Sequence, residues 1–91
     1  MFIITNTTHG KEYTPSKATT FEEAKAWLFE CTAKNIRAYV KEDIFADMSD
    51  AEVLERAESN LDGFSYSEWG TELWYDDNSY NIMNIYDLDK I

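Results

Sequence analysis

The chain has 91 residues, with 18 Asp and Glu against 8 Lys and Arg, and its formal net charge is −10 at pH 7. This length predicts one domain over residues 1–91, and three Trp, six Tyr and five Phe exclude the composition of an acidic disordered chain. One cysteine excludes an internal disulfide, and no apolar run is long enough for a signal peptide or a membrane span, so we expect a soluble, cytoplasmic protein.

The N-terminal residues predict a short strand followed by a turn. Residues 2–5 are β-branched and aromatic, whereas residues 6–10 have the Asn, Thr and Gly content of a turn. We expect residues 12–14 to pair with this strand across a turn at His9 and Gly10, and the only proline, Pro15, to close the hairpin.

A long amphipathic helix is predicted next. Thr20 and Glu23 have the spacing of a capping box, in which the threonine oxygen accepts an N–H and the glutamate reaches back. One face carries the apolar residues Phe21, Ala24, Leu28, Cys31, Ala38 and Tyr39. The opposite face carries the polar residues Glu22, Glu23, Glu30, Lys34, Arg37 and Lys41. The pattern favours one helix to about Lys41; alternatively, Asn35 ends it and residues 36–40 form a strand.

A second, shorter helix is predicted from the capping box formed by Ser49 and Glu52, and Gly63 is expected to follow its end. The inner face of this helix comprises Val53, Leu54, Ala57 and Leu61. Glu52 and Arg56 are four residues apart and are expected to form an ion pair on its surface.

The C-terminal third predicts strands. Its aromatic and β-branched content, its period-2 stretches and its turn residues indicate a meander of three strands over residues 64–69, 71–75 and 80–88. The predicted fold is therefore α+β, with two helices packed on one face of a small antiparallel sheet in the order β-α-α-β-β-β.

No residue pattern indicates an enzyme or a bound cofactor. His9 is the only histidine and is expected to be an exposed turn residue, so neither a catalytic triad nor a zinc site is predicted. Cys31 lies on the apolar helix face, where a free cysteine is expected to act as a small hydrophobe. The acidic turn at residues 76–79 lacks the spacing of a calcium loop and predicts a hairpin.

The excess negative charge is concentrated in the middle of the chain. Residues 42–77 contain twelve carboxylates and a single base, Arg56, whereas residues 1–41 contain four acids and six bases. The simplest interpretation of these carboxylates is a solvent-exposed face that keeps the domain soluble. However, the acids are segregated and lie on short structured elements, so we expect one rigid, outward-facing acidic band that repels itself at some cost to stability.

The aromatic residues between Phe64 and Tyr86 are expected to divide between the core and the surface, because strand residues alternate between two faces. An exposed aromatic run can stack on nucleic-acid bases only if basic residues surround it. Such residues are missing from this region, so direct nucleic-acid binding is not expected. Exposed Tyr and Trp instead indicate a protein-binding surface.

Glu52, Glu55 and Glu58 recur on the outward side of the second predicted helix, with neighbours about 5–6 Å apart. In size, charge segregation and aromatic content, the chain resembles the small acidic anti-restriction and anti-CRISPR proteins of phages and mobile elements, many of which mimic DNA. The resemblance implies a non-enzymatic inhibitor in a bacterial host cell, whose partner is a nuclease or regulator with a basic nucleic-acid-binding groove. The predicted partner-binding residues are Glu42, Asp43, Asp47, Asp50, Glu52, Glu55, Glu58, Asp62, Glu68, Trp69, Glu72, Trp74, Asp76 and Asp77.

The alternative is a structural or adaptor domain that binds protein, or forms a homodimer, through its aromatic C-terminal sheet. In that case the acidic residues only keep the domain soluble. Salt separates the two hypotheses, because mimicry predicts binding that weakens as salt rises.

Overall fold

The computed structural model describes residues 1–40 and 43–90, and over these ranges the chain forms two α-helices and a six-stranded antiparallel sheet. The strands are β1 (Phe2–Thr8), β2 (Lys11–Glu12), β3 (Ser16–Ala18), β4 (Phe64–Ser67), β5 (Gly70–Asp76) and β6 (Ser79–Asp87). The helices are α1 (Phe21–Tyr39) and α2 (Asp50–Asn60), and short 3₁₀ turns occupy Asp43–Asp47 and Leu88–Lys90. The predicted α+β fold is confirmed.

The sheet has the strand order β2-β1-β6-β5-β4, and β3 pairs with the same edge of β1 as β2 does. The predicted C-terminal meander is confirmed, because β4, β5 and β6 pair in sequence order. The first strand is not an edge strand: β1 pairs with β6 over its whole length, from Phe2 opposite Asp87 to Thr8 opposite Asn81. The N-terminal and C-terminal strands thus form the centre of the sheet.

The prediction for the N-terminal hairpin was too short. β1 continues to Thr8, although residues 6–8 have a turn-like composition, because Asn6 and Thr8 face the protein interior and both accept hydrogen bonds from the Nδ2 atom of Asn81 at 2.8 Å. The strand predicted at residues 12–14 is only β2, which ends at Glu12. The unpredicted strand β3 extends the pairing along β1 after Pro15.

The prediction of one long helix is confirmed for α1, and a strand at residues 36–40 is excluded because the helix continues to Tyr39. Lys41 lies outside the described residues. Thr20 is the N-cap and accepts a hydrogen bond from the Glu23 N–H. The reciprocal bond differs from the prediction, because Glu23 accepts from the N–H of Thr19 rather than from that of Thr20.

Two adjoining clusters of buried side chains lie between the helices and the sheet. Under α1 lie Ile4, Ala24, Leu28, Met83 and Ile85. Under α2 lie Ala33, Ile36, Phe45, Val53, Leu54, Ala57, Phe64 and Leu73. Both helices therefore pack on the inner face of the sheet, and in the described part of the chain no element covers the outer face. Among the helices that the structure describes, none is long and apolar enough to cross a membrane.

Candidate partner-binding surface

The spacing of the apolar residues along α2 determines which of its side chains face the solvent. Val53, Leu54 and Ala57 are fully buried against the core, which fixes the orientation of the helix. Glu52, Glu55 and Glu58 therefore lie on its exposed side. We call these three residues the glutamate row.

The glutamate row has a charge spacing close to that of a nucleic-acid strand. The three residues recur every third position, so at about 1.5 Å per residue they place one charge about every 4.5 Å along the helix axis. One strand of B-DNA carries a charge about every 3.4 Å along its axis. The row also slants around the helix, because three residues turn it by about 300°.

The start of α2 is fixed by a complete capping box. The Ser49 Oγ accepts from the Glu52 N–H at 3.3 Å, and the Glu52 carboxylate accepts from the Ser49 N–H at 3.3 Å. Glu52 also accepts from the Ser49 hydroxyl at 2.8 Å. The predicted ion pair between Glu52 and Arg56 is not formed, because the carboxylate is turned towards the cap.

Arg37 joins α1 to the segment that leads into α2. Its guanidinium donates to the carbonyl oxygens of Phe45 at 3.2 Å and Met48 at 2.6 Å, and to the Asp50 carboxylate at 3.0 Å. Asp50, a predicted partner-binding residue, is therefore paired within the protein. The polar pattern of α1 predicted a solvent-facing Arg37, but its position four residues after buried Ala33 puts it at the margin of the buried face.

The glutamate row lies close enough to the edge strand β4 to act on Tyr66. The pKa of the Tyr66 hydroxyl is raised, first by burial and then by the negative charges of Glu58 and Glu55. Tyr66 is half-buried, and its ring is stacked against that of Phe64 with centroids 5.7 Å apart. Tyr66 thus adds an aromatic hydroxyl within electrostatic range of the carboxylates, a neighbour that the sequence pattern did not predict.

Three further predicted residues flank α2. Asp43 and Asp47 are exposed in the 3₁₀ turn that precedes the helix, and Asp62 is exposed just after it. Glu42 lies outside the described residues. The surface around α2 therefore keeps Asp43, Asp47, Asp62 and the glutamate row as exposed carboxylates.

The other predicted residues lie elsewhere. Glu68 and Trp69 are in the turn between β4 and β5, where Glu68 contacts Lys25 at 3.6 Å and the Trp69 ring packs against Phe21 at a tilt of 31°, with centroids 4.4 Å apart. This turn is at the opposite end of β4 from the connection to α2. Lys25 therefore compensates Glu68, and Trp69 is anchored against the start of α1.

Glu72 and Trp74 lie on the outer face of the sheet, away from the helices. The Trp74 indole N–H donates to the Glu72 carboxylate at 2.7 Å, and the indole stacks on Tyr80 with centroids 4.5 Å apart. They alternate along β5 with Leu73, which is buried on the helix side. Strand alternation thus separates these two residues from the glutamate row.

Asp76 ends β5 and Asp77 lies in the turn that joins it to β6, as predicted for a hairpin. Asp76 accepts from the Asn78 N–H at 2.8 Å, and this bond is the main cause of the lowered pKa of its carboxyl. The expectation of one continuous acidic band over residues 42–77 is therefore wrong in its extent: the acids around α2 are grouped, whereas those of the C-terminal strands are distributed over other surfaces.

His9 lies in an exposed turn and Cys31 packs against the core, the positions that the sequence predicted for these two residues. His9 lies in the turn after β1 with a φ of 52°, and its Nδ1 accepts from the Tyr80 N–H at 3.1 Å. Cys31 is half-buried against the core under α1, and burial is the main cause of its raised pKa. Within residues 1–40 and 43–90, no group of His, Cys, Asp and Glu side chains is arranged to hold a metal ion.

Comparison of the chain with protein-family models, with curated proteins and with solved structures gives no significant match. The function must therefore be inferred from the residues and the surfaces that they form.

Proposed function

We propose that this protein is a non-enzymatic inhibitor whose glutamate row occupies the basic nucleic-acid-binding groove of a DNA-binding protein, such as a bacterial defence nuclease or regulator. The proposal rests on one observation: Glu52, Glu55 and Glu58 are exposed at near-phosphate spacing on a helix whose other side is fully buried. A rigid row of anions binds a cationic groove without paying the entropy of ordering a flexible tail.

Apart from Arg56, which is exposed on α2 beside Glu52 and Glu55, several basic residues lie away from the glutamate row or are engaged. Lys11 and Lys17 lie on β2 and β3, at the edge of the sheet opposite β4, over which α2 packs. Arg37 is engaged by Asp50, and Lys25 contacts Glu22 and Glu68. The glutamate row forms no ion pair with the basic residues of the described ranges.

The proposal is tested by retention of proteins from a bacterial lysate on the immobilised chain, followed by elution with duplex DNA. Mimicry predicts that nucleic-acid-binding proteins are retained at low salt and displaced by the duplex. If each glutamate acts like one phosphate of B-DNA, affinity for a purified partner should fall on the order of 40-fold between 50 and 200 mM salt.

The decisive comparison uses a triple variant, E52Q/E55Q/E58Q, in which Gln at position 52 can still complete the capping box. Its control, E12Q/E22Q/E30Q, removes the same charge from β2 and α1. We expect the triple variant to associate more slowly and bind more weakly, and the control to bind like the wild-type chain. Equal partner affinity for the two variants would rule out the glutamate row as the binding surface.

A further inference from the structure

The outer face of the sheet differs in composition from the rest of the molecule. Up to the irregularity at Trp74/Asp76, the side chains that β1, β4, β5 and β6 direct outward are Ile3, Thr5, Thr7, Ser65, Ser67, Glu72, Trp74, Tyr80, Ile82, Asn84 and Tyr86. Among these described residues Glu72 is the only charged one, and on the edge strands the register adds Glu12 opposite Thr7 and Lys17 opposite Ile3, in a chain of which 29% is charged. Depletion of charge together with Tyr and Trp is the composition of an interface core.

Some polar groups of this face, including its Glu72 carboxylate, form hydrogen bonds within the chain. The Glu72 carboxylate accepts from the Trp74 indole N–H, and the Thr5 hydroxyl donates to the Asn84 carbonyl at 3.4 Å. Trp74 is 37% exposed and Tyr86 47% exposed, so large apolar surface remains accessible on both. Covering this face would therefore remove aromatic surface from water without leaving the Glu72 carboxylate unpaired.

We propose that this outer face is the interface of a symmetric homodimer, in which two sheets pack face to face between two outer layers of helices. The low charge of the outer face is the reason for proposing a second copy of this chain as the partner that covers it. Two chains of net charge −10 that met through α2 would bring their glutamate rows together, whereas the charged strand residues of the outer face are Glu12, Glu72 and Lys17, so carboxylates there meet a lysine as well. An interface built on a twofold axis needs such a self-complementary surface.

The outer face is large enough to form a dimer interface. Five strand positions at about 4.8 Å and strand lengths near seven residues at about 3.3 Å give roughly 20 by 25 Å, on the order of 500 Å² in projection. Accessible area exceeds projected area, because two depressions of about 330 Å³ lie on either side of Asn84. The face therefore approaches the roughly 800 Å² per partner of a standard interface. The glutamate rows remain exposed on the outsides of the dimer.

The test is sedimentation of the wild-type chain from about 1 to several hundred micromolar at 50 and 500 mM salt. We expect the mass to rise from 10.6 kDa towards twice that value with concentration, and the dimer to tighten at high salt because screening reduces repulsion between the acidic chains. A chain that stays monomeric at the highest concentration and salt would overturn the proposal, whatever the variants show.

The matched variants are Y86E on the outer face and I44E on the 3₁₀ turn, where Ile44 is 45% exposed and away from the sheet. Y86E should weaken the dimer at least about 30-fold and I44E should not. If circular dichroism shows that Y86E is unfolded, T5E replaces it as the variant of the outer face. Equal dimerisation of the outer-face variants and I44E would also overturn the proposal. The triple variant of the glutamate row should dimerise at least as well as the wild type, which separates this inference from the proposed function.

Discussion

Replacing Arg37 should destabilise the fold more than its half-exposed position suggests. The side chain is 33% exposed and bonds two carbonyl oxygens and one carboxylate, all between Phe45 and Asp50. Hydrogen bonds of charged groups contribute about 1.5–3 kcal/mol each when buried, and water can replace part of them here. Three coupled bonds at this exposure should therefore make R37M less stable by about 2–3 kcal/mol.

R37K separates the charge from the geometry. Lysine keeps the attraction to Asp50, but its compact ammonium cannot reproduce the divergent donors of the guanidinium, so about half of the loss should remain. Urea unfolding at pH 7 measures each free energy, and the cycle of R37M, D50N and the double variant isolates the ion pair from the carbonyl bonds. A loss below about 0.5 kcal/mol for R37M, or full stability of R37K, would refute this account of the Arg37 contacts.

Three further predictions concern stability. G63A should cost about 1–3 kcal/mol in thermal unfolding, because a Cβ atom there would lie 2.5 Å from the Trp74 carbonyl oxygen; an unchanged midpoint would contradict this. The Tyr75 pKa is raised to about 12, mainly by burial, so the neutral form is favoured in the folded state; this stability is complete below about pH 10 and is lost as the pH rises to about 12. Y75F should lack that part of the alkaline loss in urea unfolding, and an identical pH profile would contradict the assignment. T71V should cost about 1–2 kcal/mol, because it removes the 2.9 Å partner of the buried Thr32 hydroxyl, and T32V/T71V should recover part of the loss; equal values for the two variants would contradict it.

The helices and the C-terminal meander were predictable because their signals are local. The N-cap residues Thr20 and Ser49 and the 3.6-residue period determine where each helix begins and which side it buries. The central pairing of β1 with β6 was not predictable, because it joins residues about eighty positions apart and leaves no local pattern. The polar residues Asn6 and Thr8 suggested a turn, and only their bonds to Asn81 explain their place in a central strand.

The candidate site was predictable in part for the same reason. Helical periodicity correctly placed the glutamate row on the exposed side of α2. The position of Glu68 depends on the turn between β4 and β5, and the face on which Glu72 lies depends on the register of β5. A shift of one residue in the predicted strand boundaries moves Glu72 to the opposite face of the sheet. The Arg37–Asp50 pair depends on how the two helices pack, and charge counts along the chain contain no information about it.

The position of β1 beside β6 has a consequence for biosynthesis. β1 is synthesised well before its partner β6, so the centre of the sheet cannot close until β6 has been made. Until then α1, α2, the β4–β5 pair and the short pairings of β1 with β2 and β3 can form, and the edge of β1 that pairs with β6 stays open to other chains. Pairing of strands so distant in sequence is intrinsically slow, and an unpaired strand edge that is exposed during synthesis favours aggregation.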